Sequence, residues 1–177
     1  MARPSSARSA QIVCFSHATA LEILLAMPST QRQHPVRSRS YPAQAPSLSE
    51  VCQARDRVLE CIPGLSLSTP LHVTSASTSH NHRTDAVAFH RSEGSFVGTG
   101  LLSVGEGVRT TTAALSFVRA AAALPLIDLL ELGFELCGTY RRGRGALPTR
   151  YGVDPLLTIR RLTDFLRRNP GMHGAKQ

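Results

Sequence analysis

Residues 110–138, TTTAALSFVRAAAALPLIDLLELGFELCG, decide the fold class. Thr110–Thr112 offer hydroxyls that cap a helix, and the pattern predicts one through Ala113–Leu124. Leu115, Val118 and Ala122 share a face at helical spacing. Pro125 suits the first turn of a second helix, where its missing N–H is not needed. That helix carries Leu126, Ile127, Leu129, Leu130, Phe134, Leu136 and Cys137, read as an inward apolar stripe, and Gly138 is its expected C-cap. Asp128, Glu131 and Glu135 fall at spacings of three and four, as a solvated acidic face opposite the stripe would.

Upstream, the pattern is strand-like. Gln11–Phe15 reads as a short buried strand, followed by a helix over His17–Ala26 with Ala20, Leu21, Leu24 and Leu25 on one face. Residues 29–47 are rich in Pro, Ser, Arg and Gln without periodicity, and are expected to form an exposed loop. Ser47 and Glu50 have capping-box spacing, predicting a helix bearing Val51, Cys52, Val58 and Leu59 that stops at Pro63-Gly64. Pro70–Thr74 and Ala86–His90 read as strands, with a third and a fourth within Ser95–Val104. Glycines at 94, 98, 100, 105 and 107 suggest tight turns and bulges. Downstream, Arg141–Arg150 is a basic loop. Asp154-Pro155 is then a good helix start, with Leu156, Ile159, Leu162, Phe165 and Leu166 inward.

The expected fold is therefore α/β of the α+β kind: a small, curved, mostly antiparallel sheet packed on aliphatic helices, with flexible termini. Residues 11–168 form one domain, with an exposed loop at 29–47, between a disordered tail at 1–10 and a flexible one at 169–177. Hydrophobic residues make up 42% of the 177, aromatics only 5%, and there is no Trp, so the core must be aliphatic. The longest apolar run, Ala120–Leu136, is interrupted by Pro125, Asp128, Glu131, Gly133 and Glu135, which excludes a membrane span there. Cys14, Cys52, Cys61 and Cys137 show no C-x-x-C or zinc-ribbon spacing, and are expected to be free thiols in a reducing, cytoplasmic setting.

The formal net charge of +8 is uneven. Residues 1–49 carry +4, residues 50–140 carry −3 and residues 141–177 carry +7. Nearly all of the basic residues are arginine, whose fork matches phosphate geometry. Arg141, Arg142, Arg144, Arg160, Arg161 and Arg168 are thus the candidate phosphate contacts, and the low aromatic content favours a duplex backbone over stacked single-strand bases. An acidic protein partner would suit the same face. Membrane is not an expected partner.

Other constellations are weaker. His72, His80, His82 and His90 include an H-x-H pair of the kind that can bind zinc, but Ser77–Thr84 reads more simply as a solvated loop. The glycines of 94–107 lack the Lys of a phosphate loop. Cys137 lies among apolar neighbours, as core thiols do. No nucleophile set or complete two-metal carboxylate site is present, so no catalytic residue, cofactor or metal is expected.

Three stretches carry a resemblance: Phe15–Glu22 (FSHATALE), Ser95–Val97 leading to Leu115–Phe117, and Leu129–Tyr140 (LLELGFELCGTY). Together they resemble uncharacterised bacterial proteins related to the abortive-infection antitoxins of type IV toxin–antitoxin systems. The resemblance implies an α/β N-terminal domain of the kind that often precedes a domain similar to very-short-patch-repair endonucleases. The chain looks like that N-terminal domain without the endonuclease-like half, so no catalytic residue carries over. The expected function is a non-enzymatic recognition domain, antitoxin-like or nuclease-associated, contacting duplex phosphates through its basic C-terminal third. The alternative is an interaction module for an acidic partner, either a cognate toxin or the nuclease domain.

Overall fold

The computed structural model describes residues 11–28, 34–77, 84–92, 94–143 and 145–175. The expected tail at 1–10, His80, His82 and Arg144 lie outside the described residues.

Among the described residues, seven strands and five helices alternate irregularly, giving an α+β fold. The strands β1 (Val13–Phe15), β2 (Leu71–Ser75), β3 (Val87–Arg91), β4 (Leu101–Gly105) and β5 (Val108–Thr111) make one sheet in the order β3-β2-β1-β5-β4. The sheet is mixed rather than mostly antiparallel: β1–β2 and β4–β5 are antiparallel, whereas β1–β5 and β2–β3 are parallel. The β2–β3 pairing is parallel, an arrangement that a tight hairpin turn cannot join. Strand β5 was not expected. Its Thr110 and Thr111 are completely buried, and only Thr112 is left to cap the next helix.

The helices are α1 (His17–Ala26), α2 (Leu48–Cys61), α3 (Ala113–Ala121), α4 (Leu126–Cys137) and α5 (Ile159–Arg168). Helix α2 begins with the expected capping box, Ser47 and Glu50 bonding reciprocally. Helix α5 begins at Ile159, capped by Thr158, and not at Asp154-Pro155. The reason is tertiary: Leu157 is buried against α1, α3 and α4, and its N–H donates to the Leu136 carbonyl. The segment is thereby held non-helical up to Thr158.

Alternation along the strands divides the core. Val13, Phe15, Leu71, Val73, Val87 and Val108 face α2 and the buried side of α1. Cys14 and Leu101 face Leu115 and Val118 of α3 and Phe165 of α5. A third cluster joins Leu21, Leu24 and Leu25 to Ala113, Leu136 and Leu157. The loop expected to be exposed at 29–47 is partly structural where described. The Val36 N–H donates to the Leu101 carbonyl, the Ser103 N–H donates to the His34 carbonyl, and Tyr41 is buried. This segment covers the open edge of β4. The reading of 169–177 as a tail likewise gives way over 169–175. Asn169 exchanges hydrogen bonds with the backbone of Val97, and Met172 and Ala175 pack on the α3–α5 core.

Helix α4 departs most from expectation. Leu136 is its one fully buried residue, Leu129 and Leu132 are half-buried, and Leu126, Ile127, Leu130 and Phe134 are exposed. The helix packs on α3 through a single narrow stripe, so its apolar circumference exceeds the surface available to cover it.

Candidate functional site

Strand alternation also sets the chemistry. The residues facing α2 on β2 and β3 are apolar, so the intervening positions, His72 and Thr74 on β2 and His90 on β3, share the opposite face. The parallel register places His90 opposite Thr74, one same-face step beyond Ala88, which lies opposite His72. The two rings are stacked, with His72 Nδ1 2.8 Å from His90 Nε2.

A third imidazole, not anticipated, joins them. His17 is separated from the end of β1 only by Ser16 and opens α1 with φ +50°, in the left-handed region that non-glycine residues seldom enter. Its ring stacks on His90 at 3.9 Å between centroids. Its Nδ1 lies 2.9 Å from Ser16 Oγ, and that hydroxyl also accepts a hydrogen bond from Thr74 at 2.6 Å. Burial, then the His90, His72 and Arg119 charges, push the His17 pKa down to about 3. The ring is therefore neutral at ordinary pH. His17, Thr74, His90, Ser92 and Arg119 line one cavity of about 360 Å³. Arg119 donates to Ser92 Oγ and lies 6.0 Å from the Tyr41 ring centre. Of the expected histidine group, the structure thus unites His72 and His90 and supplies His17 as the third member. By local pattern alone, His17 is simply the first residue of the expected helix over His17–Ala26. The strand ending at Phe15 was the available signal, but which strand lies beside it is not a local property.

The predicted arginines separate. Arg141 is not on a phosphate-contacting face: it is only 2% exposed. Its guanidinium donates to the carbonyls of Glu135, Gly138, Tyr140 and Asp154. Burial pulls its pKa down, Glu135 opposes that shift and Arg150 adds to it. Arg141 thus ties a small hairpin, β6 (Tyr140–Arg141) with β7 (Arg150–Tyr151), to the end of α4. Arg142 and Arg150 line a cavity with Glu22 and Leu147. Arg160, Arg161, Arg167 and Arg168 are exposed on α5, and none is ion-paired among the described residues. Arg161 and Arg168 flank a cavity of about 910 Å³ that reaches Thr112–Ala114 at the start of α3, with Asp154 and Asp164 also on its wall. Ile159, expected inward, is 78% exposed beside them.

All four cysteines are free. No helix among the described residues is long and apolar enough to cross a membrane. Compared with known proteins, the chain matches no family model, no curated protein and no solved structure.

Proposed function

We propose that the chain is a recognition domain for nucleic-acid phosphates, of the antitoxin-like or nuclease-associated kind its sequence resembles, working in a reducing cytoplasm. The observation that carries this reading is the outer face of α5. Arg160 and Arg167, and Arg161 and Arg168, are seven residues apart, exposed, and unpaired with carboxylates among the described residues. Residues seven apart lie on the same side of a helix, so the four guanidiniums form two lengthwise rows. The α3 N-terminus, which shares a cavity with Arg161 and Arg168, adds a positive dipole end. Arg142 is a secondary contact, and Arg141 supports the hairpin that presents it.

The test is binding of a fluorescent duplex over a salt series. Replacing Arg160, Arg161, Arg167 and Arg168 by Ala should abolish measurable affinity at moderate salt. Each arginine that meets a phosphate should account for roughly 0.9 in the slope of log K against log salt. An unchanged slope in the quadruple variant would overturn the reading. The exposed Leu126, Ile127, Leu130 and Phe134 of α4 favour a second reading, an interaction module for a protein, with the basic α5 face selecting an acidic one. Salt-sensitive binding to polyglutamate but not to duplex would favour that one.

A further inference from the structure

The histidine group takes no part in the α5 reading. Three half-buried imidazoles converge from three places: the β1–α1 junction, β2 and β3. We propose that His17, His72 and His90 bind a divalent transition-metal ion, zinc first among them, with an open coordination position on the Arg119 cavity that takes an oxyanion.

Each ring offers one nitrogen, and the three nitrogens lie within 4.8 Å of one another. Around a tetrahedral zinc with Zn–N near 2.0–2.1 Å, ligand nitrogens sit roughly 3.3–3.4 Å apart. The His72–His90 pair, at 2.8 Å, must open slightly, and no pair has to close by more than about 1.5 Å. The rings now lie nearly parallel, with 11° between His72 and His90 and 22° between His17 and His90. The second side-chain torsion of histidine is broad, so turning the rings to converge is a small motion.

The surroundings are those of a ligand set. Ser16 Oγ, held by Thr74, engages His17 Nδ1 and leaves Nε2 as the ligating atom. Such outer partners orient metal-bound imidazoles. His72 is held through its backbone, its N–H donating to Thr19 Oγ1 and its carbonyl accepting from the Ser16 N–H. The left-handed backbone at His17 turns the chain from strand to helix where the third ring must reach the other two. Sites with this bent backbone are held only where the surroundings enforce them.

The charges around the group call for an anionic fourth ligand. Among the described residues no carboxylate or thiolate joins the group, so three neutral imidazoles leave the ion its full charge. Arg119 stands on the same cavity wall and adds another positive charge. Both are balanced by an anion in the fourth position, with the Ser92 and Thr74 hydroxyls beside it. Phosphate and carboxylate oxygens are the fitting donors.

The experiment uses the full chain, stripped with chelator and then titrated with zinc by calorimetry, with elemental analysis after dialysis. One zinc per chain is expected. His72→Ala and His90→Ala should each weaken binding by more than about 100-fold, beyond the usual effect of an outer partner. His17→Gly accommodates the left-handed backbone, so it should keep the far-UV spectrum and melting temperature while losing the metal. His80→Ala with His82→Ala should bind like the parent. With cobalt in place of zinc, four-coordinate visible bands are expected, and inorganic phosphate should shift them. No retained metal in the parent, retention undiminished in all three single variants, or loss confined to the His80/His82 variant would each overturn the site. A cobalt spectrum indifferent to phosphate would overturn the oxyanion position.

Discussion

Cys14 shows at the residue scale how burial sets chemistry. It lies in the central strand, fully covered by the α3–α5 core, and burial pushes its thiol up to about 12, with Arg109 opposing. The unfolded chain therefore loses this proton near pH 9 while the folded chain keeps it. Stability from this group is intact below about pH 9 and declines as pH rises toward about 12. Melting temperature over an alkaline series should fall less steeply in Cys14→Ala than in the parent, once the variant's own offset is removed. Gly100 makes a second residue-scale case. A Cβ there would collide with the Phe96 ring, which is buried edge-on against Tyr41. Gly100→Ala should destabilise by about 1–3 kcal/mol, read by denaturant unfolding. The glycine-rich composition of 94–107 was legible as turns and bulges. That Gly100 makes room for an aromatic ring was not, because the ring's position depends on the loop at 34–41 and on α3.

Elements were legible where capping and periodicity agree. The Ser47–Glu50 box appears as read, and α3 keeps Leu115 and Val118 on its buried face, but its cap narrows to Thr112 and the helix stops at Ala121, leaving Ala122 as its C-cap. Where tertiary contacts compete, local signals lose. Asp154-Pro155 is a sound helix start, but Leu157 gains more from burial with Leu136 than from one extra helical turn. The basic loop at 141–150 conceals a two-stranded hairpin whose anchor is Arg141. Arg141→Ala strips partners from carbonyls of α4, β6 and the Asp154 segment, and should cost about 3 kcal/mol. Chemical denaturation would show it, and duplex affinity measured well below the transition should keep its salt slope.

At the scale of the whole molecule, Arg141 and the four arginines of α5 are of two physical kinds that composition cannot separate. Those of α5 are exposed and unpaired among the described residues, so replacing them with Ala should change stability by no more than about 0.5 kcal/mol each. The same replacements should remove phosphate binding. Arg141 should show the reverse pattern, and measuring both properties on both sets of variants tests the division.

The α+β class, most element positions and the uneven charge were determined by sequence alone. Each depends on neighbours a few residues away, through caps, periodicity and composition. Only the tertiary structure decided the mixed strand order, the exposure of α4, the burial of Arg141 and the meeting of His17 with His72 and His90. Each of those rests on which strands pair and which helix faces are covered. These are long-range choices, made by the total apolar surface buried, and no local pattern encodes them.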